Sequence, residues 1–292
     1  MKRILITGAN SYVGTSFEKW LSQWPEEYHV DTIDMIDGTW RDKSFAGYDA
    51  VFHVAGIAHV KETKKNEHLY YEINRDLAVE TARKAKTEGV SQFIFMSSMS
   101  VYGMDSGVIT KDTEPHPKSN YGKSKLQAER EIEKLANDNF ILTVLRPPMI
   151  YGKGCKGNYA KLSKFAKWTP VFLNIDNKRS MIYMDNLSEF IKIVINKKVN
   201  GVLMPQNNNY SNTSELVKII AHIHGKKILF IKNIGWLLEI AKYISKTINK
   251  IFSNLYYDIN ISEYNYCMIS LKDSIELIER QDSEKNIICS KS

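Results

Sequence analysis

The run RILITGANSYVG, residues 3–14, constrains the fold more than any other part of the chain. An apolar strand over 3–7 runs without a linker into Gly8, and a helical pattern follows over 16–24, ending before Pro25. Glycine at the end of a buried strand gives the backbone conformations that a Cβ denies. The spacing Gly8-x-x-Ser11-x-x-Gly14 reads G-x-x-S-x-x-G, with serine where a glycine would complete the dinucleotide fingerprint. Through Asn10, Ser11, Tyr12 and Val13, such a turn brings backbone N–H groups to a pyrophosphate at a helix N-terminus. Serine fits the middle position provided its φ is negative. The rival reading is a plain strand-to-helix turn.

An acid is expected about twenty residues on, and Asp34 closes the next strand (29–35) twenty positions after Gly14. Its carboxylate would accept both ribose hydroxyls of NAD and repel the 2′-phosphate of NADP. The next arginine is Arg41, so NAD is favoured over NADP. Asp31 and Asp37 are alternative ribose ligands or loop acids.

Strand-like runs at 50–56, 92–98 and 140–148 alternate with helical patterns at 69–89, closed by Gly89, and 121–137. This alternation predicts an α/β fold, a Rossmann-type doubly wound parallel sheet. After Pro147-Pro148 the strands shorten (178–184, 200–205) and Asn and Lys rise. We therefore expect residues 1–152 to form mainly the NAD-binding domain and 153–280 mainly a smaller substrate-binding lobe, with 281–292 a flexible polar tail.

The 292 residues are 43% hydrophobic and 25% charged, as in an ordinary soluble protein. The lysines behind the formal charge of +7 are scattered in sequence, which gives no nucleic-acid footprint but suits a pyrophosphate-bearing small molecule. Three cysteines without metal spacing, an N-terminus without a signal pattern and no membrane-spanning apolar run lead to an expected cytoplasmic location. His53, His59 and His68 lack ligand spacing, so no metal is expected. Residues 236–255 carry an apolar stripe beside Lys242, Lys246 and Lys250; a helix docked on the second lobe is favoured over peripheral membrane contact.

In SNYGKSK, residues 119–125, Tyr121 and Lys125 stand four apart at a helix start, on one face. An ammonium beside a phenol favours phenolate and lowers its pKa from about 10. A phenol so tuned can exchange a proton with a sugar hydroxyl. By itself the spacing also fits an ordinary helix start.

The segments TGANSYVG, the acid closing the second strand, FHVAGIAH, Asn74, FMSSMSVYG, YGKSK and RPPMIYG occur in this order. Together they resemble the extended short-chain dehydrogenase/reductases of the nucleotide-sugar epimerase/dehydratase family, strongly over 1–152 and more loosely to about 280. The resemblance implies that Tyr121 is the catalytic acid/base, that Lys125 lowers its pKa and holds the nicotinamide ribose, and that Ser98 hydrogen-bonds the reacting oxygen. Ser97 and Ser100 are the alternative hydroxyls. Val54, Ala55 and Gly56, then Met96 and Ser97, then Pro148 and Ile150 correspond to cofactor contacts. Asn74 corresponds to the asparagine that fixes the active-site strand. Asn158 and Arg179 correspond to contacts with the substrate's diphosphate and nucleoside. A homodimer through 69–89 and 121–137 is expected by the same resemblance.

Ser11 and the short second lobe depart from the family pattern. The expected activity is 4-epimerisation of a UDP-linked hexose with bound NAD. The alternatives are NAD(P)H-dependent reduction of a nucleotide-linked 4-keto-6-deoxy sugar and, in another class, a non-catalytic NAD(P)-binding sensor. A 4,6-dehydratase is disfavoured because Met99 and Ser100 stand where its acid/base pair is needed.

Overall fold

The structure is a computed structural model that describes residues 1–58, 60–231, 252–262 and 264–289. Its centre is a six-stranded parallel sheet. In chain order the strands are β1 (Lys2–Thr7), β2 (Tyr28–Ile33), β3 (Ala50–His53), β4 (Gln92–Met96), β6 (Ile141–Leu145) and β10 (Gly201–Leu203). They lie side by side as β10-β6-β4-β3-β1-β2. Strand order reverses at β1, so a crevice opens between the ends of β1 and β3.

Alternation along these buried strands divides the core in two. Ile4, Ile6, Phe52 and Ile94 face one side, where they meet Phe17 and Leu21 of helix α1 (Tyr12–Leu21) and Leu187, Phe190 and Val194 of helix α6 (Met184–Lys197). Leu5, Val51, Phe93 and Phe95 face the other, against helix α3 (Leu77–Thr87) and helix α4 (Asn120–Glu133). Both faces are covered, as an all-parallel sheet requires.

The helix expected over 69–89 forms with one irregular turn. Helix α2 (Glu67–Tyr71) passes through one π turn, Glu72–Asp76, into α3. The extra residue in the wide turn rotates Asn74 into the interior, where it is fully buried.

The second layer is a set of two-stranded parallel pairs. Strand β7 (Met149–Tyr151) pairs with β9 (Met181–Tyr183), and β8 (Val171–Leu173) with β11 (Leu229–Ile231). Strand β5 (Gly107–Ile109) pairs with β12 (Leu255–Tyr257) and so ties the first half of the chain to the second lobe. Helices α5 (Asn158–Ala166), α7 (Thr213–Ile223) and α8 (Leu271–Cys289) enclose a core around Tyr151, Tyr159, Phe172 and Leu216.

The chain returns to the first domain at 184–203, because the apolar stripe of α6 packs on the sheet beside α1 and β10 adds to its edge. Helix α8 runs on to Cys289, and 281–289 holds neither Gly nor Pro to stop it. Most of the amphipathic stretch 236–255 lies outside the described residues.

Candidate active site

The fingerprint turn forms as its glycines require. Gly8 has φ +114°, and a Cβ there would sit 2.7 Å from Ala55 N and 2.9 Å from its Cα. The backbones following β1 and β3 touch, and Val54 and Ala55 both donate their N–H to the Thr7 carbonyl at 3.0 Å. Ser11 does more than spare a glycine. With φ −71° it is the N-cap of α1, and its hydroxyl accepts from Gly14 N at 3.1 Å. The first-turn N–H groups of Tyr12 and Val13 have no intrahelical acceptor, which is what an anion at this helix end needs. The turn therefore fits a dinucleotide pyrophosphate.

Three acids compete for the ribose role, and the geometry separates them. Asp31 accepts from Tyr48 Oη at 2.7 Å and faces His29 Nε2 at 3.1 Å. Asp37 caps Thr39 through its N and Oγ1, which holds the carboxyl below its usual range. Asp34 is exposed one residue past β2, with Oδ1 accepting from Ile36 N at 2.9 Å. Arg41 is held by Glu80, its Nε and Nη2 donating at 2.5 and 2.6 Å.

Across the sheet, the remaining candidates fall on the carboxyl ends of adjacent strands. Val54, Ala55 and Gly56 follow β3, Met96 ends β4 with Ser97 next in the chain, and Pro148 and Ile150 follow β6. Gly56 is held by Asn74, which accepts from Ile57 N at 2.8 Å and donates to Ile57 O at 3.2 Å. Asn74 also donates to Ser124 Oγ on α4 at 3.2 Å, which links the turn after β3 to that helix.

Helix α4 begins with Ser119 as N-cap, its hydroxyl accepting from Gly122 N at 3.1 Å. Gly122 lets this first turn approach closely, for a Cβ there would lie 2.6 Å from Ser100 O. The approach sets Tyr121 against the loop after β4, and its phenol shares a hydrogen bond with Ser98. Burial raises the phenol's pKa, the Ser98 bond lowers it, and the Tyr70 phenol raises it again. The Lys125 ammonium donates to Met96 O at 2.8 Å and lies 4.7 Å from the Phe95 ring centre, and burial prevails at the tyrosine.

Lys125 is itself perturbed. Burial brings its pKa down to about 8, and Glu129 opposes that fall. Glu129 was not among the expected site residues, although it extends the Tyr121–Lys125 spacing by four more positions on the same helix face. It forms a buried pair with Arg146, Nη2 to Oε2 at 2.5 Å, and accepts from Ser97 Oγ. The Ser97 hydroxyl thus faces Glu129 inside the protein. Arg146 Nη1 also donates to Tyr102 Oη at 3.0 Å, while Tyr257 Oη of β12 donates to Arg146 O at 2.6 Å. Helix α4 is thus tied to the second lobe. Glu62 is a further omission: it accepts from Asn120 N at 3.2 Å and Tyr121 N at 3.1 Å, and no sequence spacing marks it.

His53 is fully buried, its Nδ1 bonded to Thr7 Oγ1 at 2.8 Å and its ring stacked on Phe93 and Phe95. Burial, then Lys125, push its pKa down to about 3. It is a neutral core residue. In the second lobe Asn158 is exposed in the first turn of α5. Arg179 Nη1 donates to Ser253 O at 3.0 Å, and burial lowers the guanidinium's pKa. Among the described residues, no three His, Cys, Asp or Glu side chains come together as metal ligands, and no helix is long and apolar enough to cross a membrane.

Residues 4–206 match the model of the NAD dependent epimerase/dehydratase family. The chain belongs to that family. Its sequence relatives include a UDP-glucose 4-epimerase of Vibrio cholerae, 31% identical over 278 residues, 86% of this chain and 82% of that protein. An N-acetyl-alpha-D-glucosaminyl-diphospho-ditrans,octacis-undecaprenol 4-epimerase of Escherichia coli O157:H7 is 31% identical over 208 residues, 65% and 62% of the two chains. Among solved structures, MoeE5 in complex with UDP-glucose and NAD superposes with a TM-score of 0.76 at 18% identity, covering 98% and 99% of the chains. RMD from Pseudomonas aeruginosa with NADPH gives 0.75 at 18% identity over 95% and 98%. At that identity the likeness establishes the shared fold. As a family member the chain is an NAD-dependent enzyme of nucleotide-sugar epimerase or reductase chemistry.

Proposed function

We propose that this family member is a 4-epimerase of a UDP-linked hexose that keeps NAD bound through the cycle. The observation that carries the reading is the pair formed by exposed Asp34 and an Arg41 already clasped by Glu80. A carboxylate suits the two ribose hydroxyls, and no free arginine follows it to receive a 2′-phosphate. A reaction with no net redox change has no need to release its cofactor.

Tyr121 takes the proton of the sugar C4 hydroxyl and later returns it. Ser98 donates to the same oxygen as charge develops there. Lys125, charged below about pH 8, holds the nicotinamide ribose and favours the phenolate when the site is filled. NAD, held by the Gly8–Gly14 turn and Asp34, supplies the hydride acceptor that is regenerated when the hydride returns to the opposite face. The Asn74 clamp keeps Gly56 bare of side chain, since a Cβ there would meet Asn74 Oδ1 at 2.8 Å and Lys125 Nζ at 3.2 Å. Arg179 and Asn158 take the diphosphate and nucleoside, and a guanidinium suits phosphate in a bidentate pair. Two copies paired through α2–α3 and α4 make the working unit.

The relative from Vibrio cholerae supports the UDP-hexose reading. The compact second lobe favours the second reading, reduction of a nucleotide-linked 4-keto-6-deoxy sugar, and a Pseudomonas aeruginosa GDP-6-deoxy-D-mannose reductase is 24% identical over 247 residues. The purified protein, given UDP-galactose and no added nucleotide, is expected to form UDP-glucose. Turnover only with a 4-keto sugar and added NAD(P)H would replace the first reading with the second.

A further inference from the structure

Helix α8 carries a carboxylate into the core of the second lobe. Glu279 is fully buried. Its Oε1 accepts from Tyr159 Oη at 3.0 Å and Ser163 Oγ at 2.7 Å, and its Oε2 meets Lys167 Nζ and His224 Nε2, each at 2.8 Å. Burial alone would raise the carboxyl's pKa, but the bonds from Lys167, His224 and Ser163 hold it below its usual value, so it keeps its charge. A buried charge met at both oxygens in this way fixes the placement of the groups that donate to it.

Three of these four donors belong to α5. Tyr159, Ser163 and Lys167 are spaced four apart, so they lie on one face and run from the first turn of the helix to its C-cap. One carboxylate therefore sets both the rotation of α5 about its axis and its position along that axis. The helix start adds no such hold, for Gly157 stands at the N-cap with φ +103° and has no side chain to cap with. The fourth donor, His224, is the C-cap of α7.

Asn158 directly precedes Tyr159 and is exposed in the first turn of α5, so its direction follows from the rotation that Glu279 imposes. The Tyr159 ring also lies 5.2 Å from the ring of Tyr151, whose hydroxyl is 2.6 Å from Ser274 Oγ of α8. Tyr151 follows Ile150 on β7, so α8 braces that strand as well as α5. We propose that Glu279 is a positioning residue for the substrate: without touching it, the carboxylate sets the angle at which Asn158 meets the nucleoside diphosphate. The inference rests on the assignment of Asn158 to that group, and it holds for either sugar reaction, because both substrates carry a nucleoside diphosphate. Tyr121, Lys125 and the Gly8–Gly14 turn are held by other bonds, so chemistry and cofactor retention do not depend on Glu279.

The test is steady-state kinetics of Glu279→Gln on the nucleotide sugar that the parent turns over, with protein-bound NAD measured beside it. The amide keeps an acceptor for the two hydroxyls and loses the charge that holds Lys167. KM is expected to rise about tenfold while kcat and bound NAD stay as in the parent. Tyr159→Phe removes only the donor beside Asn158, should raise KM about threefold, and decides the matter if Glu279→Gln does not fold. Asn158→Ala should itself raise KM about tenfold, and adding Glu279→Gln to it should change KM little further, because the two act through one contact. If Asn158→Ala is impaired while Glu279→Gln and Tyr159→Phe keep the parental KM, or if the effects of Asn158→Ala and Glu279→Gln simply add, the inference is overturned and the substrate reading stands. A parental KM in Asn158→Ala overturns both. A lowered unfolding temperature with a parental KM would make Glu279 a brace for the fold alone.

Discussion

Replacing Glu129 by Gln tests how helix α4 is held. The carboxylate is 5% exposed and meets Arg146 through Nη2 at 2.5 Å and through Nε at 3.2 Å, with the Ser97 hydroxyl on Oε1. Glutamine keeps the shape and part of the hydrogen bonding but leaves the buried guanidinium without its counter-charge. Breaking such a pair costs about 3 kcal/mol, the lower end of the range because the amide oxygen still accepts. With a urea slope of about 3 kcal/mol/M for a chain of this size, the unfolding midpoint should fall by about 1 M. Lys125 adds a second and separate signature. Burial already brings it to about 8, and Glu129 is the group that opposes this fall. Without the carboxylate the ammonium loses its proton at lower pH, so the alkaline limb of kcat/KM, expected near pH 8 in the parent, should move to lower pH. Urea unfolding and a pH–rate profile read the two effects independently. A midpoint that holds still, together with an alkaline limb unmoved or shifted upward, would refute the claim that Glu129 sustains the charge on Lys125.

Tyr121→Phe should lower kcat by about 10²- to 10⁴-fold and leave NAD in the protein, measured by turnover and by absorbance of the released nucleotide. Gly8→Ala forces a side chain to φ +114° against the Ala55 backbone, so it should cost more than the 1–2 kcal/mol of left-handed strain and yield protein that purifies without nucleotide. His53 is held near 3 against an ordinary value of 6.5, so below about pH 6.5 the unfolded chain takes a proton that the folded one refuses. Its contribution to stability therefore rises with pH through that window, by about 1.4 kcal/mol per unit, and His53→Gln should flatten the acid side of the stability curve in urea titrations.

The features legible in sequence are those fixed by local spacing. The G-x-x-S-x-x-G turn, the acid after β2 and the Tyr121–Lys125 pair each occupy one short segment whose backbone form dictates its chemistry. Asn74 was found through resemblance, but the π turn that buries it was not, because a wide turn leaves the apolar period of 69–89 nearly intact. The environment of Tyr121 depends on where Lys125 Nζ is anchored, and Met96 O lies 29 positions away. Glu62 reaches α4 from 58 and 59 positions upstream, a distance over which spacing carries no information. The return of 184–203 to the first domain was hidden for a related reason. An amphipathic helix and a three-residue strand show that they pack on something, not on which sheet.

The account stands most directly on what the purified enzyme already holds. Heat-denaturing it and identifying the nucleotide set free should give NAD(H) in stoichiometric amount, as a retained cofactor behind Asp34 requires. An empty site that takes up NADPH reversibly would contradict both the Asp34 argument and the epimerase cycle built on it.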